Sequence, residues 1–301
     1  PPLRGRRSAD TRRRRVKRSR VWARLARHRM SVTGAALVAA FACVAIVSFF
    51  YTPHDPREVN LAAKNLPPGE HDGERYAFGA DAVGRDILSR TMAGARISLR
   101  VGLFVVAGAI LVGAAAGTLS AYYGGAVDGL LMRFMDMLLA VPGILLAIVI
   151  VTILGPGLRN AMIAVGIVAI PQYARVMRAE VLRVKAQEYV SAARALGASD
   201  WRILRRAVLP NCLAPLFVQG TLGMGTAILE TAGLSYLGLG DDPSVPEWGR
   251  MIAEQFGYVR RAWWTVVPPL ASISLVVLGF NLLGDGLRDV MDPRLRQTPG
   301  A

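Results

Sequence analysis

The side chains able to do chemistry are few, and their spacing does not suit catalysis. The 301-residue chain holds three histidines and two cysteines. His28, His54 and His71 lack the spacing that puts two imidazoles on one helix face around zinc. His54-Asp55 and His71-Asp72 share one segment and could meet around a metal, but two solvated loop dipeptides are the simpler reading. No Gly-Lys pair occurs, so the G-x-x-x-x-G-K-[ST] loop that cradles nucleotide phosphates is missing. There is no G-x-S-x-G elbow, and Cys43, set in an apolar run, suits packing better than nucleophilic attack. The chain is therefore read as non-catalytic, with no metal or cofactor of its own. Two charged groups remain of interest. Glu230 closes an apolar run and reads as a hydrated interfacial acid or as a polar group facing a pathway. Asp81, Gly84, Arg85 and Asp86 read as a capped helix entry, with Asp86 paired to Arg90 one turn on.

The elements that must carry these residues are membrane helices. The chain is 53% hydrophobic yet has a net charge of +15, so the charge must sit apart from the apolar residues. Residues 1–30 indeed hold 13 of the 36 Lys and Arg and a single acid, Asp10. Crossing a bilayer takes about 20 mostly apolar residues. Six runs qualify: 34–50, 101–121, 137–154, 161–174 (which must extend toward Met177), 212–229 and 262–284. Pro142 within the third is expected to be tolerated, since bundle neighbours can satisfy the freed backbone groups. Gly113 and Gly117 let helix backbones approach closely, for packing or for a sliding face. Trp263 and Trp264 suit an interfacial aromatic belt.

Lys and Arg placement orients the spans. The basic tail puts both termini in the cytoplasm. Segments then inside carry 25 basic residues against 11 outside, or 12 against 11 without the tail, so the tail decides. A cleaved signal peptide over 1–45 is disfavoured by the long basic region and the lack of a clear cleavage site. The chain opens on Pro1 rather than Met, which leaves the start of the tail open. The expected organisation is a basic cytoplasmic tail at 1–30, with a short interfacial helix over Val21–His28, and a first transmembrane helix at 31–51. An extracytoplasmic loop and gate segment at 52–100, a five-helix core at 101–287 and a cytoplasmic tail at 288–301 follow. The tail suits anionic lipid; with little aromatic interleaving beyond Trp22, nucleic acid is not an expected partner.

Between spans four and five lie residues 175–211, with eight basic and three acidic residues. They read as helix, break, helix. Ala192, Ala193 and Leu196 favour helix, and Gly197 suits the left-handed position just past a helix end. Ser199 or Asp200 is expected to cap a second helix running to a stop at Pro210. Such a short helix on a tight turn is a lever that another protein can grip.

Ser191-Ala192-Ala193-x3-Gly197-x9-Ala207-x-Leu209-Pro210 resembles the EAA loop of ABC-importer permeases, E-A-A-x3-G-x9-I-x-L-P. Ser191 stands where that family has Glu, and Ala207 where it has Ile, although Glu188 lies one turn earlier. The resemblance covers most of residues 78–296. The stretch from Phe78 through Asp81, Gly84, Arg85, Asp86 and Arg90 to Gly94-Ala-Arg96 is similar to the peptide-permease pattern before the second span. Glu230 to Gly240 and Pro246-Glu-Trp248-Gly249 resemble the segment after the fifth. Asn281-Leu-Leu-Gly284-Asp285-Gly286, with Asp292-Pro293-Arg294, resembles the C-terminal signature. Together they point to the C-type permease of the dipeptide, oligopeptide and nickel importers.

The resemblance implies an all-α, six-helix, type I ABC-importer permease fold in a bacterial plasma membrane. It implies a related second permease, two ATPase subunits holding ATP and Mg, and an extracytoplasmic solute-binding protein. Glu188, Ser191, Ala192, Ala193, Leu196, Gly197, Ala198, Ser199, Asp200, Leu209 and Pro210 are the expected ATPase-coupling residues. Asp81, Gly84, Arg85, Asp86, Arg96 and Glu230 are the gate or pathway candidates. Peptides are the expected cargo, with nickel complexes or another small solute as the alternative. An ion-coupled secondary transporter is disfavoured, because mid-span carboxylates are lacking and the loop would have no purpose.

Overall fold

A computed structural model describes residues 28–71, 73–240 and 242–291. The expected interfacial helix before His28 and the Asp292-Pro293-Arg294 signature fall outside the described residues. The first apolar run forms α1 (Arg29–Val47). A short hairpin, β1 (Gly69–His71) and β2 (Glu74–Tyr76), lies in the loop that follows. Helix α2 (Ile87–Tyr123) starts at Asp86, whose carboxylate accepts from the Ser89 N–H, and ends at Gly124. At 37 residues it is roughly 55 Å long. Its first 14 residues had been expected as loop; they extend the second span as a helical stalk.

The third run is not one helix. α3 (Gly125–Leu139) and α4 (Gly143–Leu154) meet at 92° around Pro142. Pro142 has extended backbone at the start of α4, and the residue before a proline is biased away from helix. The expectation of a tolerated proline fails here. Pro171, by contrast, does sit inside α5 (Leu158–Lys185). That helix runs 11 residues past the apolar 161–174, so the supposed loop at 175–185 is helical. Next come α6 (Glu188–Ala195), α7 (Asp200–Ile203), a π turn (Leu204–Val208) and α8 (Leu209–Leu234). α9 (Trp248–Gln255) and α10 (Val267–Met291) complete the order. Five described helices are long and apolar enough to cross a membrane, or six if the bent α3–α4 pair is one span.

Two apolar centres hold the bundle. One gathers Val101, Val105, Ala109, Val165, Tyr173, Met177, Val208 and Cys212 from α2, α5, the π turn and the start of α8. The other gathers Ile87, Trp248, Met251, Val276 and Phe280. α2 and α5 approach at Gly113 and Gly117, where an added Cβ would run into the Ile170 and Ala174 carbonyls of α5. Of the two readings of this glycine pair, close packing is the one that the geometry fits.

Candidate coupling segment and charge knot

Residues 186–211 sit at the end of the bundle where α5 finishes and α8 begins. Glu188 is exposed in the first turn of α6, where a carboxylate favours the helix N-terminus. α6 closes in a Schellman turn: the Gly197 N–H donates to the Arg194 carbonyl and the Ala198 N–H to that of Ala193. Gly197 has φ 79°, as the sequence leads one to expect of that position. Two expectations on its C-terminal side fail. Ser199 occupies the N-cap of α7, but no side chain caps that helix. Nor does the helix stop at Pro210. Its missing N–H falls at the start of α8, where the preceding π turn has already reset the hydrogen-bond register, and helical backbone continues to Leu234.

The segment is two-faced. Val190, Ile203 and Val208 are buried, and Ala193, Ala198, Leu204, Ala207 and Leu209 pack beside them on the main core. Ser191, Ala192, Ser199 and Pro210 face solvent. On that face Leu196 is 88% exposed and Trp201 67%, with Tyr189 near them in sequence at 48%. Large exposed apolar side chains on a turn backed by the core, as Leu196 and Trp201 are, have the properties of contact residues.

Asp200 does something the sequence did not signal. Its carboxylate accepts a 2.6 Å hydrogen bond from the Tyr122 hydroxyl at the end of α2, and Arg194 lies 3.9 Å away. Lys185, the last residue of α5, donates to the Tyr122 carbonyl at 2.6 Å and so closes the C-terminus of α2. Asp128 of α3 takes two bonds from Arg178 of α5, at 2.7 and 2.6 Å, and one from Ser120 of α2. The C-terminal end of α2 is thus tied to Asp200 and to α5 by charged groups 63 or more residues away in sequence, and to α3 through Ser120 and Asp128.

At the other end, the segment before α2 forms a knot of charges. Asp81 folds over its own turn: one carboxylate oxygen accepts from the Val83 and Arg85 N–H groups, both at 2.9 Å, and the other from Arg85 Nε at 2.6 Å. The Arg85 guanidinium goes on to the Pro243 carbonyl at 2.8 Å and Glu254 of α9 at 2.6 Å. Gly84, at φ 83°, lies so close to Asn60 that any Cβ would strike its carbonyl. Asp86 accepts from the Ser89 N–H and hydroxyl, at 2.8 and 2.5 Å. The expected Asp86–Arg90 pair does not form, because the fold offers Arg90 more. Its guanidinium donates to the Pro56 and Pro243 carbonyls and lies 4.0 and 3.9 Å from Asp81 and Glu254. Trp248, fully buried, donates to the Thr91 carbonyl at 3.0 Å across the space that Gly94 leaves open.

Glu254 was missed in the sequence. The one available signal was the amphipathic pattern of Trp248, Met251 and Gln255, which seats α9 on the bundle and carries an acid between them. Two gate candidates do not join the knot. Arg96 stacks over Phe49 at the end of α1. Glu230 lies half-buried inside α8 rather than at its end, because that helix continues to Leu234.

Residues 109–297 match the family described as binding-protein-dependent transport system inner membrane component, and residues 18–68 the N-terminal TM domain of oligopeptide transport permease C. The chain is 44% identical to the dipeptide transport system permease protein of Alkalihalophilus pseudofirmus, over 90% of this chain and 88% of that one. It is 42% identical to the Haemophilus influenzae protein of the same name, over 92% and 94%. The glutathione transport system permease protein of Shigella dysenteriae is 43% identical over 91% and 90%. Among solved structures, the MetNI methionine ABC transporter in an inward-facing form gives a TM-score of 0.57 at 20% identity, covering 68% of this chain and 98% of that one. At that identity the likeness speaks for the fold, which is that of ABC-importer permeases. The family match spans well over half of the chain and agrees with a bundle whose one end is a supported, apolar-tipped turn: the chain belongs to the inner-membrane components of binding-protein-dependent transport systems.

Proposed function

We propose that this chain is the non-catalytic permease half of an ATP-driven importer of short peptides, with both termini in the cytoplasm of a bacterium. A second permease completes the pathway, two ATPase subunits carry ATP and Mg, and an extracytoplasmic binding protein delivers cargo. The observation that carries this reading is the coupling segment. Its inner face is locked to the core while Tyr189, Leu196 and Trp201 stand out from it. A rigid helix so mounted passes the two-state motion of an ATPase pair to the membrane helices. Glu188, Ser191, Ala192 and the Gly197–Asp200 turn form the grip. The peptide cargo is supported by relatives whose names specify dipeptide transport at 42–44% identity.

Asp81, Gly84, Arg85 and Asp86 hold the extracytoplasmic entry in shape rather than bind cargo, since their polar atoms are largely taken by protein partners. Glu230 is the remaining pathway candidate. The test is to purify the complex from its native host, identify the co-purifying subunits and bound solute, and repeat with Leu196→Asp. The wild type should bring down two ATPases and a peptide. The variant should insert normally but lose substrate-stimulated ATP hydrolysis. Full stimulation in Leu196→Asp, or a complex without ATPases, would refute the reading.

A further inference from the structure

Three arginines at the boundary between α1 and α2, Arg57, Arg96 and Arg100, carry guanidiniums that no carboxylate pairs with among the described residues. Arg96 and Arg100, one turn apart on α2, both place their guanidinium over the Phe49 ring, 4.6 and 5.1 Å from its centre. The charged groups close enough to act on Arg96 are Arg100 and Arg57, all of one sign. None of the three makes an ion pair among the described residues. Elsewhere in the same region arginines are thoroughly paired, as Arg85 and Arg250 show. Packing like charges on one ring is unfavourable unless an anion joins them. Guanidinium forks match phosphate oxygens in pairs.

Location chooses the source of the anion. Arg100 directly precedes the charge-free run 101–121, so the cluster sits where α2 enters the hydrocarbon. Phe49, Phe50 and Tyr51, where α1 leaves it, are 53, 88 and 63% exposed, an aromatic collar at the same level. α1 is the least buried of the five single-helix spans, so this corner lies on the rim of the subunit. We infer that Arg96 and Arg100, backed by Phe49 and helped by Arg57, bind the phosphate of an anionic phospholipid, whose acyl chains lie along the exposed end of α1. The orientation proposed above serves only to name the leaflet as the outer one; the site does not depend on the cargo.

The test uses the whole transporter complex in nanodiscs of phosphatidylcholine with or without phosphatidylglycerol, read by native mass spectrometry. Arg96→Gln with Arg100→Gln should lower retention of one class of bound phosphatidylglycerol by about 30-fold, from the usual contribution of each arginine near a membrane surface. The basic tail is the same in both proteins, so lipids held there cancel. Arg96→Lys with Arg100→Lys, which preserves the charge, should keep most of the lipid and guards against a folding defect in the Gln pair. Inorganic phosphate added to phosphatidylcholine discs should bind no more tightly to the wild type than to the Gln pair. Three results would overturn the inference: unchanged lipid retention in the Gln pair, inorganic phosphate displacing the lipid, or loss of the second permease in place of lipid.

Discussion

Removing the Arg85 guanidinium, as in Arg85→Met, should unfasten the charge knot from α9. The side chain is buried and its two acidic partners, Asp81 and Glu254, both lie at 2.6 Å. Breaking a buried pair by deleting one partner costs about 3–5 kcal/mol, since the other charge is left uncompensated. Two local features pull the value toward the lower end. Asp81 keeps its two backbone N–H donors, and Arg90 remains 4.0 and 3.9 Å from the two acids. We therefore expect about 3 kcal/mol for Arg85→Met. Glu254→Gln in the same chain removes the stranded charge and should recover about 1–2 kcal/mol of it, a coupling typical of groups in direct contact. The measurement is a double-mutant cycle on the thermal or denaturant stability of the intact complex in nanodiscs, with proteolysis at residues 242–247, just before α9, as a local readout. Loss within about 0.5 kcal/mol, the ordinary range for surface substitutions, would refute the claim that this pair holds the entry. Additivity of the two substitutions would refute the specific link between Arg85 and α9.

Other perturbations probe different levels of the structure. Tyr122→Phe removes the hydroxyl that reaches Asp200 and should cost about 1 kcal/mol, because Asp200 is largely exposed; the ratio of stimulated to basal ATP hydrolysis should fall while the complex still assembles. Gly197→Pro cannot adopt φ 79°, so stimulated hydrolysis should disappear with membrane insertion intact, as measured in reconstituted complex. Gly117→Val should force α2 from α5 and lower the yield of assembled complex on size exclusion, whereas the same change at Gly108, where an added Cβ meets nothing, should be tolerated. Gly84→Ala combines a collision with Asn60 and a left-handed φ, and should make the segment around residue 60 sensitive to protease.

Much of the fold and part of the site were legible in one dimension. Apolar runs of bilayer length, the glycine pair at 113 and 117, and the Gly197 turn each depend on residues close together in sequence. Local errors arose where two local rules competed. Pro142 broke its span while Pro171 did not, and Pro210 began a helix where it had been expected to end one. The charge partners were illegible for another reason. Arg90 could be matched locally to Asp86, but its guanidinium instead reaches Glu254 and the Pro56 and Pro243 carbonyls, between 34 and 164 residues away. The Tyr122–Asp200 link spans 78 residues.

By itself the sequence determined that this chain lives in a membrane, where most of its apolar runs of bilayer length lie, and where the Gly197 turn falls. Those properties follow from hydrophobic run length and from glycine's access to left-handed backbone, neither of which needs a partner. Only the tertiary structure decided which charges answer one another. It assigned Arg85 to Glu254 and Tyr122 to Asp200, and left Arg96 and Arg100 without an acidic partner among the described residues. A buried charge takes the nearest compensating group in space, and the packing of α2 against α5, α8 and α9 sets that distance.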